Sequence, residues 1–369
     1  MKPKIAVFGA GDYGQAIAAD LTLTGYKVEL LELSEFEEEI TYIKRNGGIY
    51  LDGVETRSGK VGFAKLKVST DIAEVLSSVD VIFVDVPVAD CETRINAIAP
   101  YLRDGQILFF DSYGYWISLR VSRLLNQMKG SNIILSEGAA PIYSCSSNEG
   151  HVNIRRIRRK LPVAAFPSKK ANEVIDVLKP IFPTFEIAKN VLQINFENIN
   201  MIVHPGIALP NVGWFDRAEE KRARVDFYKT GNTTKTGTLL EAYDRERIPV
   251  CQTYEVLFTS MRKHIIDYYD SKGSSLFEVI QNCKLYQSRC WPADTWIKWI
   301  KTDVNYALIP YVALATLAGI STPISKGIIE VFGAILETNF WETGLTLDKL
   351  GLENLTREEI IRYVTEGTE

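Results

Sequence analysis

The chain has 369 residues, 46% of them apolar and 24% charged, and a formal net charge of −4. That length fits two globular domains rather than one small core, and the slight acidity gives no general attraction to nucleic acid. Five scattered cysteines, none in a CxxC pair, and only three histidines argue against structural zinc and for free thiols in a reducing compartment.

Residues 4–32 read KIAVFGAGDYGQAIAADLTLTGYKVELLE. An apolar strand, Ile5 to Phe8, runs into Gly9, Gly11 and Gly14; an Ala-rich helix follows, and a second strand ends on Glu32. Each part has a physical role. Gly9 permits a tight turn, Gly11 lets backbone approach a pyrophosphate, and Gly14 lets the helix pack on the sheet. The pyrophosphate would sit on the free N–H groups that open the helix, so the turn Gly9, Ala10, Gly11, Asp12, Tyr13, Gly14 is the expected cofactor cradle. Glu32 is placed to accept hydrogen bonds from the adenosine ribose and to repel a 2′-phosphate. Leu33, Ser34, Glu35 and Phe36 follow it without an arginine. NAD is therefore favoured over NADP, with Lys44 and Arg45 as the nearest basic residues.

Strands are expected at 4–8, 27–31, 80–86, 106–110 and 132–135, with helices at 13–24, 35–46, 71–77, 90–102 and 115–128. This alternation predicts a doubly wound parallel sheet. Residues 79–87, VDVIFVDVP, are nearly continuously apolar, as in a central parallel strand. Asp85 is the exception, and Pro87 at the strand end joins the expected cofactor contacts. Ile154–Phe166 suggests further strands at the sheet edge, and the basic run Arg155–Lys160 is most simply a solvated edge or hairpin. After Pro183 helical patterns dominate: 190–209, 215–229, 235–245, 248–269, 305–318, 323–337 and 346–366, with a break expected at Pro249. The expected organisation is an α/β doubly wound dinucleotide-binding domain, 1–183, followed by an all-helical second domain, 184–369. The active site would lie in the cleft between them. The longest apolar stretch, Tyr306 to Ile320, is shorter than a membrane span. No apolar leader precedes the first strand, so a cytoplasmic location is expected.

Within residues 197–211, ENINMIVHPGIALPN, Asn200 and His204 are four apart and share one helix face. A histidine there suits proton transfer near neutral pH; a buried core histidine satisfied by Asn200 is the competing reading. In residues 298–310, KWIKTDVNYALIP, Asp303 precedes an apolar segment. It reads either as a helix N-cap or as the carboxylate that fixes the His204 tautomer.

The chain resembles the octopine/nopaline (opine) dehydrogenase family, within the group that includes 6-phosphogluconate and glycerol-3-phosphate dehydrogenases. The resemblance rests on KRNGGIYLDG (44–53), VSTDIAEVLSSVDVIFVDVPVADCETRINAIAPYLRDGQ, EGAAPIYSC, KLPVAAFP, HPGIALPN, FYKTGNTTKTGTLLEAYDRER, SLFEVIQN and KWIKTDVNYALIP. It implies an NAD(P)-dependent oxidoreductase that reductively condenses an amino acid with a 2-oxo acid, by hydride transfer to the imine. It implies that His204 exchanges the proton, Asp303 holds it, Asn200 orients substrate, and Lys298 and Tyr143 contact substrate. No metal, nucleic acid or membrane is implied, and a homodimer is left open.

The sequence departs from the family pattern at several positions. Lys298 replaces an arginine, which keeps the charge but loses the bidentate fork. Cys91 replaces a histidine and Ser146 an arginine. TGNTTK (230–235) stands for EGxTPS, and Thr302 and Asn305 alter the EDxPY segment. These changes bear on the substrate pair rather than on fold or hydride chemistry. A 2-hydroxy-acid or sugar-acid dehydrogenase on the same scaffold, and a non-catalytic NAD(H)-sensing protein, remain the alternatives.

Overall fold

A computed structural model of the protein describes residues 2–57, 59–127, 132–287 and 289–367. The last residue of the expected helix 115–128 lies outside them. The chain divides into two compact units, Met1–Ile194 with Arg362–Glu369, and Asn195–Ile361. The division expected at 183/184 shifts because the strand and turn after Pro183 still complete the first unit's sheet. The end of the chain also returns to that unit.

The first unit opens with β1 (Ile5–Phe8), α1 (Asp12–Leu23) and β2 (Val28–Leu31), then α2 (Thr41–Asn46), β3 (Gly48–Gly53), β4 (Gly62–Lys65), β5 (Lys67–Ser69) and α3 (Ile72–Leu76). It continues through β6 (Val81–Val84), α4 (Cys91–Ile98), β7 (Ile107–Phe110), α5 (Ile117–Gln127), β8 (Ile134–Gly138), β9 (Tyr143–Asn148) and β10 (His151–Ile157). β11 (Leu161–Phe166), α6 (Ala171–Ile181) and β12 (Phe185–Ile187) complete it, and α7 (Val191–Phe196) spans the boundary. The main sheet has the order β12-β11-β8-β7-β6-β1-β2-β5. Its strands pair in parallel except β11 with β8. β1, β6, β7 and β8 are buried along their whole length, so alternation is lost and the strands read as apolar runs. Strand order reverses between β1 and β6, and ligands bind beyond the carboxyl ends of strands at such a point.

Residues 154–166 do not form one sheet edge. β10 joins a separate four-stranded sheet, β4-β3-β10-β9, while β11 crosses back into the main sheet. The basic run belongs partly to β10, and three of its arginines are used internally, while Arg159 and Lys160 are exposed. Arg155 donates to the Ser146 hydroxyl at 3.0 Å, Arg156 pairs with Glu55 at 3.3 Å, and Arg158, 4% exposed, donates to the Pro141 carbonyl at 3.1 Å.

The second unit holds α8 (Asn200–Ala208), α9 (Val212–Glu220), β13 (Arg224–Val225), α10 (Thr234–Arg245), α11 (Arg247–Thr253), α12 (Met261–Tyr269), α13 (Leu276–Gln281), α14 (Lys284–Gln287) and β14 (Trp291–Pro292). After these come α15 (Thr295–Asp303), α16 (Ile309–Leu317), α17 (Pro323–Ile335), α18 (Phe340–Thr343), α19 (Leu347–Leu350) and α20 (Arg357–Glu366), whose last turns belong to the first unit. Among the described residues its regular structure is helical apart from the short ribbon β13–β14. That ribbon replaces the end of the helix expected at 215–229. Pro249 does not break its helix, because it lies in the first turn of α11, where its missing N–H has no intrahelical acceptor. The breaks fall at Glu246 and after Thr253. Among the described residues no helix is long and apolar enough to cross a membrane.

Candidate active site

The glycine turn lies at the switch point of the first unit. Gly9 has φ +104°, and a Cβ there would strike the Asp85 carbonyl. A Cβ on Gly14 would strike the Gly9 carbonyl, which is why this helix packs so closely on its strand. Gly11 is the N-cap of α1 and brings no side-chain cap, so the opening N–H groups of the helix face an anion seat. This geometry fits a dinucleotide pyrophosphate. Part of the seat is already held by Asp85, whose Oδ2 accepts from the Gly14 N–H at 2.6 Å. Burial, and then the carboxylates of Asp12, Glu32 and Glu39, push Asp85 up to about 7 against the pull of the Gly14 bond. Asp111 is also pushed up, by burial and by Asp85.

The other cofactor candidates divide. Ala10 turns its N–H to Glu32 Oε2 at 3.0 Å. Asp12 accepts the N–H and hydroxyl of Ser147, both at 2.7 Å, and so ties α1 to β9. Tyr13 is half-buried, with its phenol pushed up by burial. Pro87 is exposed just beyond β6. Glu32 is fully buried, and its carboxylate also takes the Leu33 N–H at 2.9 Å and the Arg94 guanidinium at 3.0 Å. The absence of an arginine near Glu32, read from residues 33–36, is therefore corrected: Arg94 arrives from α4. It stacks on the Phe36 ring at 3.7 Å. As folded, Glu32 shapes the nucleotide loop through its partners rather than presenting a bare carboxylate. Nothing local in the sequence links positions 32 and 94.

Tyr143, expected to contact substrate, is turned inward. It is 1% exposed, and its hydroxyl donates to Asp20 Oδ2 at 2.7 Å. Cys91, at the family's histidine position, is 1% exposed, and burial pushes its thiol up to about 12.

In the second unit, His204 and Asp303 come together. Nδ1 of His204 lies 2.7 Å from Asp303 Oδ2, and the two residues are 7% and 1% exposed. Both helices deviate locally. Pro205 inside α8 has no N–H for the Met201 carbonyl, and the Tyr243 hydroxyl donates there instead at 2.8 Å. After Asp303 the helix widens into a π-turn, Val304–Leu308, ahead of Pro310, which has no N–H for the Tyr306 carbonyl. Asp303 closes α15 and stands just before the π-turn, but its side chain makes no capping hydrogen bond there.

The other His204 nitrogen, Nε2, lies 2.7 Å from the Tyr228 hydroxyl. The imidazole stacks on Trp299, with centroids 4.6 Å apart and planes at 20°. Trp299 meets Trp291 edge-on at 5.3 Å, and the Arg289 guanidinium lies 5.0 Å from the centre of the Trp291 ring. Tyr228, Trp299 and Arg289 are site neighbours that sequence patterning did not assign; only FYKTG, within the family resemblance, hinted at Tyr228. Asn200 opens α8, partly exposed, and the four-residue spacing puts it on the His204 face. Lys298 is exposed, one residue from Trp299 on α15.

Residues 187–336 match the alpha-helical domain of NAD/NADP octopine/nopaline dehydrogenase, and residues 4–129 match the N-terminus of NAD-dependent glycerol-3-phosphate dehydrogenase. An opine dehydrogenase of Arthrobacter sp. (strain 1C) is 26% identical over 95% of this chain and 96% of its own. An octopine dehydrogenase solved with NADH and L-arginine covers 100% of this chain and 99% of its own, at 18% identity and TM-score 0.77. The same enzyme with NADH and pyruvate superposes at TM-score 0.75 and 18% identity, with the same coverage. These full-length likenesses agree with the glycine turn of the first unit and the His204–Asp303 pair of the second. Along its whole length the chain is thus similar to opine dehydrogenases, with residues 187–336 matching the helical domain of that family, and it is an NAD(P)-dependent oxidoreductase.

Proposed function

We propose that the chain reversibly joins an amino acid to a 2-oxo acid, with NAD as its cofactor. The observation that carries this reading is the buried His204–Asp303 pair at 2.7 Å in the helical unit. The bound dinucleotide supplies the hydride, or takes it in reverse. The chain's own residues handle the proton. The amine nitrogen bonds to the oxo carbon, and the carbonyl oxygen must be protonated and leave as water to give the imine. His204 in its doubly protonated form is the source of one of the two protons that water requires, the other coming from the amine nitrogen, and Asp303 accepts the Nδ1–H throughout, which fixes ring orientation. In the oxidative direction neutral His204 takes a proton from the attacking water.

Two carboxylates on the product call for cationic contacts. Lys298 offers one; Arg289, stacked beside the tryptophans, offers a planar fork of the kind that grips a carboxylate with two bonds. Asn200 orients the substrate from the His204 face. No disulfide joins the cysteines among the described residues, which fits work in the reducing cytoplasm. Steady-state NADH oxidation with panels of 2-oxo acids and amino acids tests the reading. Oxidation should depend on both partners. Turnover with an oxo acid alone, unchanged by any amine, would instead identify a 2-hydroxy-acid dehydrogenase.

A further inference from the structure

We propose that Tyr228, rather than the imidazole of His204, is the group that passes the proton to and from substrate. The inference rests on the reading above and adds a catalytic residue to it. Both imidazole nitrogens are already engaged, Nδ1 by Asp303 and Nε2 by the Tyr228 hydroxyl, each at 2.7 Å. The ring faces are no easier to reach: one side of the imidazole carries Trp299, and Phe227 stands edge-on at 6.0 Å. A reacting atom reaches the histidine proton only through the phenol oxygen or by pushing that oxygen away.

Displacement is opposed by the packing of the tyrosine. Its ring stacks on Tyr286 with centroids 4.1 Å apart and planes at 12°, and it meets Trp291 edge-on at 5.5 Å. Phe227 packs against it at 5.1 Å. Trp291 is itself fixed in the ribbon, where Val225 pairs with it. Tyr228 is 7% exposed. Swinging the phenol aside would disturb several aromatic contacts at once.

The tautomer logic gives the relay a direction. With Asp303 accepting the Nδ1–H, neutral His204 has a lone pair on Nε2, and the Tyr228 O–H donates to it. When His204 takes a second proton, Nε2–H donates to the phenol oxygen instead. The phenolic O–H then turns outward, toward an acceptor. In the reductive direction the developing alkoxide of the amine–carbonyl adduct takes the Tyr228 proton, and Tyr228 takes the Nε2 proton. His204 ends neutral, and with a second proton passed from the adduct's own ammonium nitrogen the oxygen leaves as water and an iminium remains. The oxidative direction runs the same transfers backwards. No oxidant or metal enters these steps.

The test compares wild type, Tyr228→Phe and a protein carrying fluorotyrosines of increasing acidity at 228, with the amino acid and oxo acid that wild type uses. Tyr228→Phe keeps the ring stack and should lower kcat about 10²-fold or more, as expected for a lost general acid, while NADH binding measured by fluorescence stays unchanged. In the fluorotyrosine series the basic limb of the reductive kcat profile should move to lower pH as the phenol becomes more acidic, a shift that a purely structural hydroxyl would not produce. An unaltered kcat in Tyr228→Phe, or a pH profile indifferent to fluorination, overturns the relay and leaves His204 as the direct donor. Absence of any two-substrate turnover in wild type overturns the functional reading itself, so the two failures are distinguishable.

Discussion

The two units build their chemistry in opposite ways. In the first, the nucleotide cradle comes from one βαβ stretch, and the groups that face an anion are mostly backbone N–H groups at the start of α1. In the second, the proton is handled by side chains, His204 finding its partners 24 and 99 positions away in the chain. A site made of backbone is held by the fold and degrades gradually under substitution. A site made of converging side chains depends on a few atoms and is lost with one of them.

The largest effect should follow from breaking the second site. His204→Ala removes the proton-handling ring and should lower kcat about 10²–10⁴-fold, while NADH titration, which reports on the other unit, stays near wild type. Equal loss of NADH binding would show that the two sites are not separable. Asp303→Asn keeps the shape but removes the charge, and its kcat loss should be smaller than that of His204→Ala.

Next comes Glu32, where the first site borrows from a distant residue. Glu32→Ala deletes the charged acceptor of Ala10, Leu33 and Arg94, each bond contributing roughly 1.5–3 kcal/mol before compensation. NADH should bind at least about tenfold more weakly, since 1.4 kcal/mol is already a factor of ten. The freed Arg94 guanidinium should improve NADPH relative to NADH. Titration of both cofactors decides it; a wild-type preference for NADPH would show that Glu32 is not the discriminating group. Arg94→Ala, which leaves the Glu32 carboxylate buried without its cation, should reduce thermal stability by an amount of the order of the 3–5 kcal/mol seen when a buried pair is broken. A smaller effect is expected at Arg289. Arg289→Ala should raise KM for the oxo acid or amino acid about tenfold, as loss of one carboxylate fork does, with kcat largely kept. A fall in kcat at constant KM would remove it from the carboxylate role.

The smallest effect is a pH dependence at the glycine turn. Asp85 faces Gly11 and Gly14, with Asp12, Glu32, Glu39 and Asp111 as its acidic neighbours and Tyr13 beside it. Its pKa is raised to about 7, so below that pH it is neutral and tolerates an anion, and above it a second negative charge meets the pyrophosphate. NADH affinity should therefore fall a few-fold as pH rises through about 7, and Asp85→Asn should flatten that slope. A steeper slope in the variant would reverse the assigned sign.

The unequal legibility of the two sites in the sequence has the same origin. Gly9, Gly11 and Gly14 announce themselves because close backbone approach tolerates no Cβ, and strand, turn and helix follow in order. Burial along β6 showed as a run of apolar residues. The His204–Asp303 pairing stood as one of two readings until the family resemblance favoured it, since neither residue carries a local sign of the other. A segment resemblance carries no information about which way a strand residue faces, and the Tyr143 hydroxyl is held by Asp20. Arg94 and Arg289 were missed because a guanidinium reaches its partner through tertiary packing alone. The break expected at Pro249 failed because proline is tolerated in a first helical turn.

One feature of the chain path concerns synthesis rather than catalysis. Residues 362–367 pack with the first unit, where the Tyr363 ring meets Phe166 at 5.3 Å and Lys169 reaches Glu366 at 3.4 Å. On a ribosome, the nucleotide-binding unit thus emerges first yet lacks its closing helical turns until the whole helical unit has followed it out. A fragment ending at residue 194 should consequently be more open to proteolysis near Phe166 than the same segment in the full chain, and a separately supplied peptide of residues 357–367 should restore part of the protection.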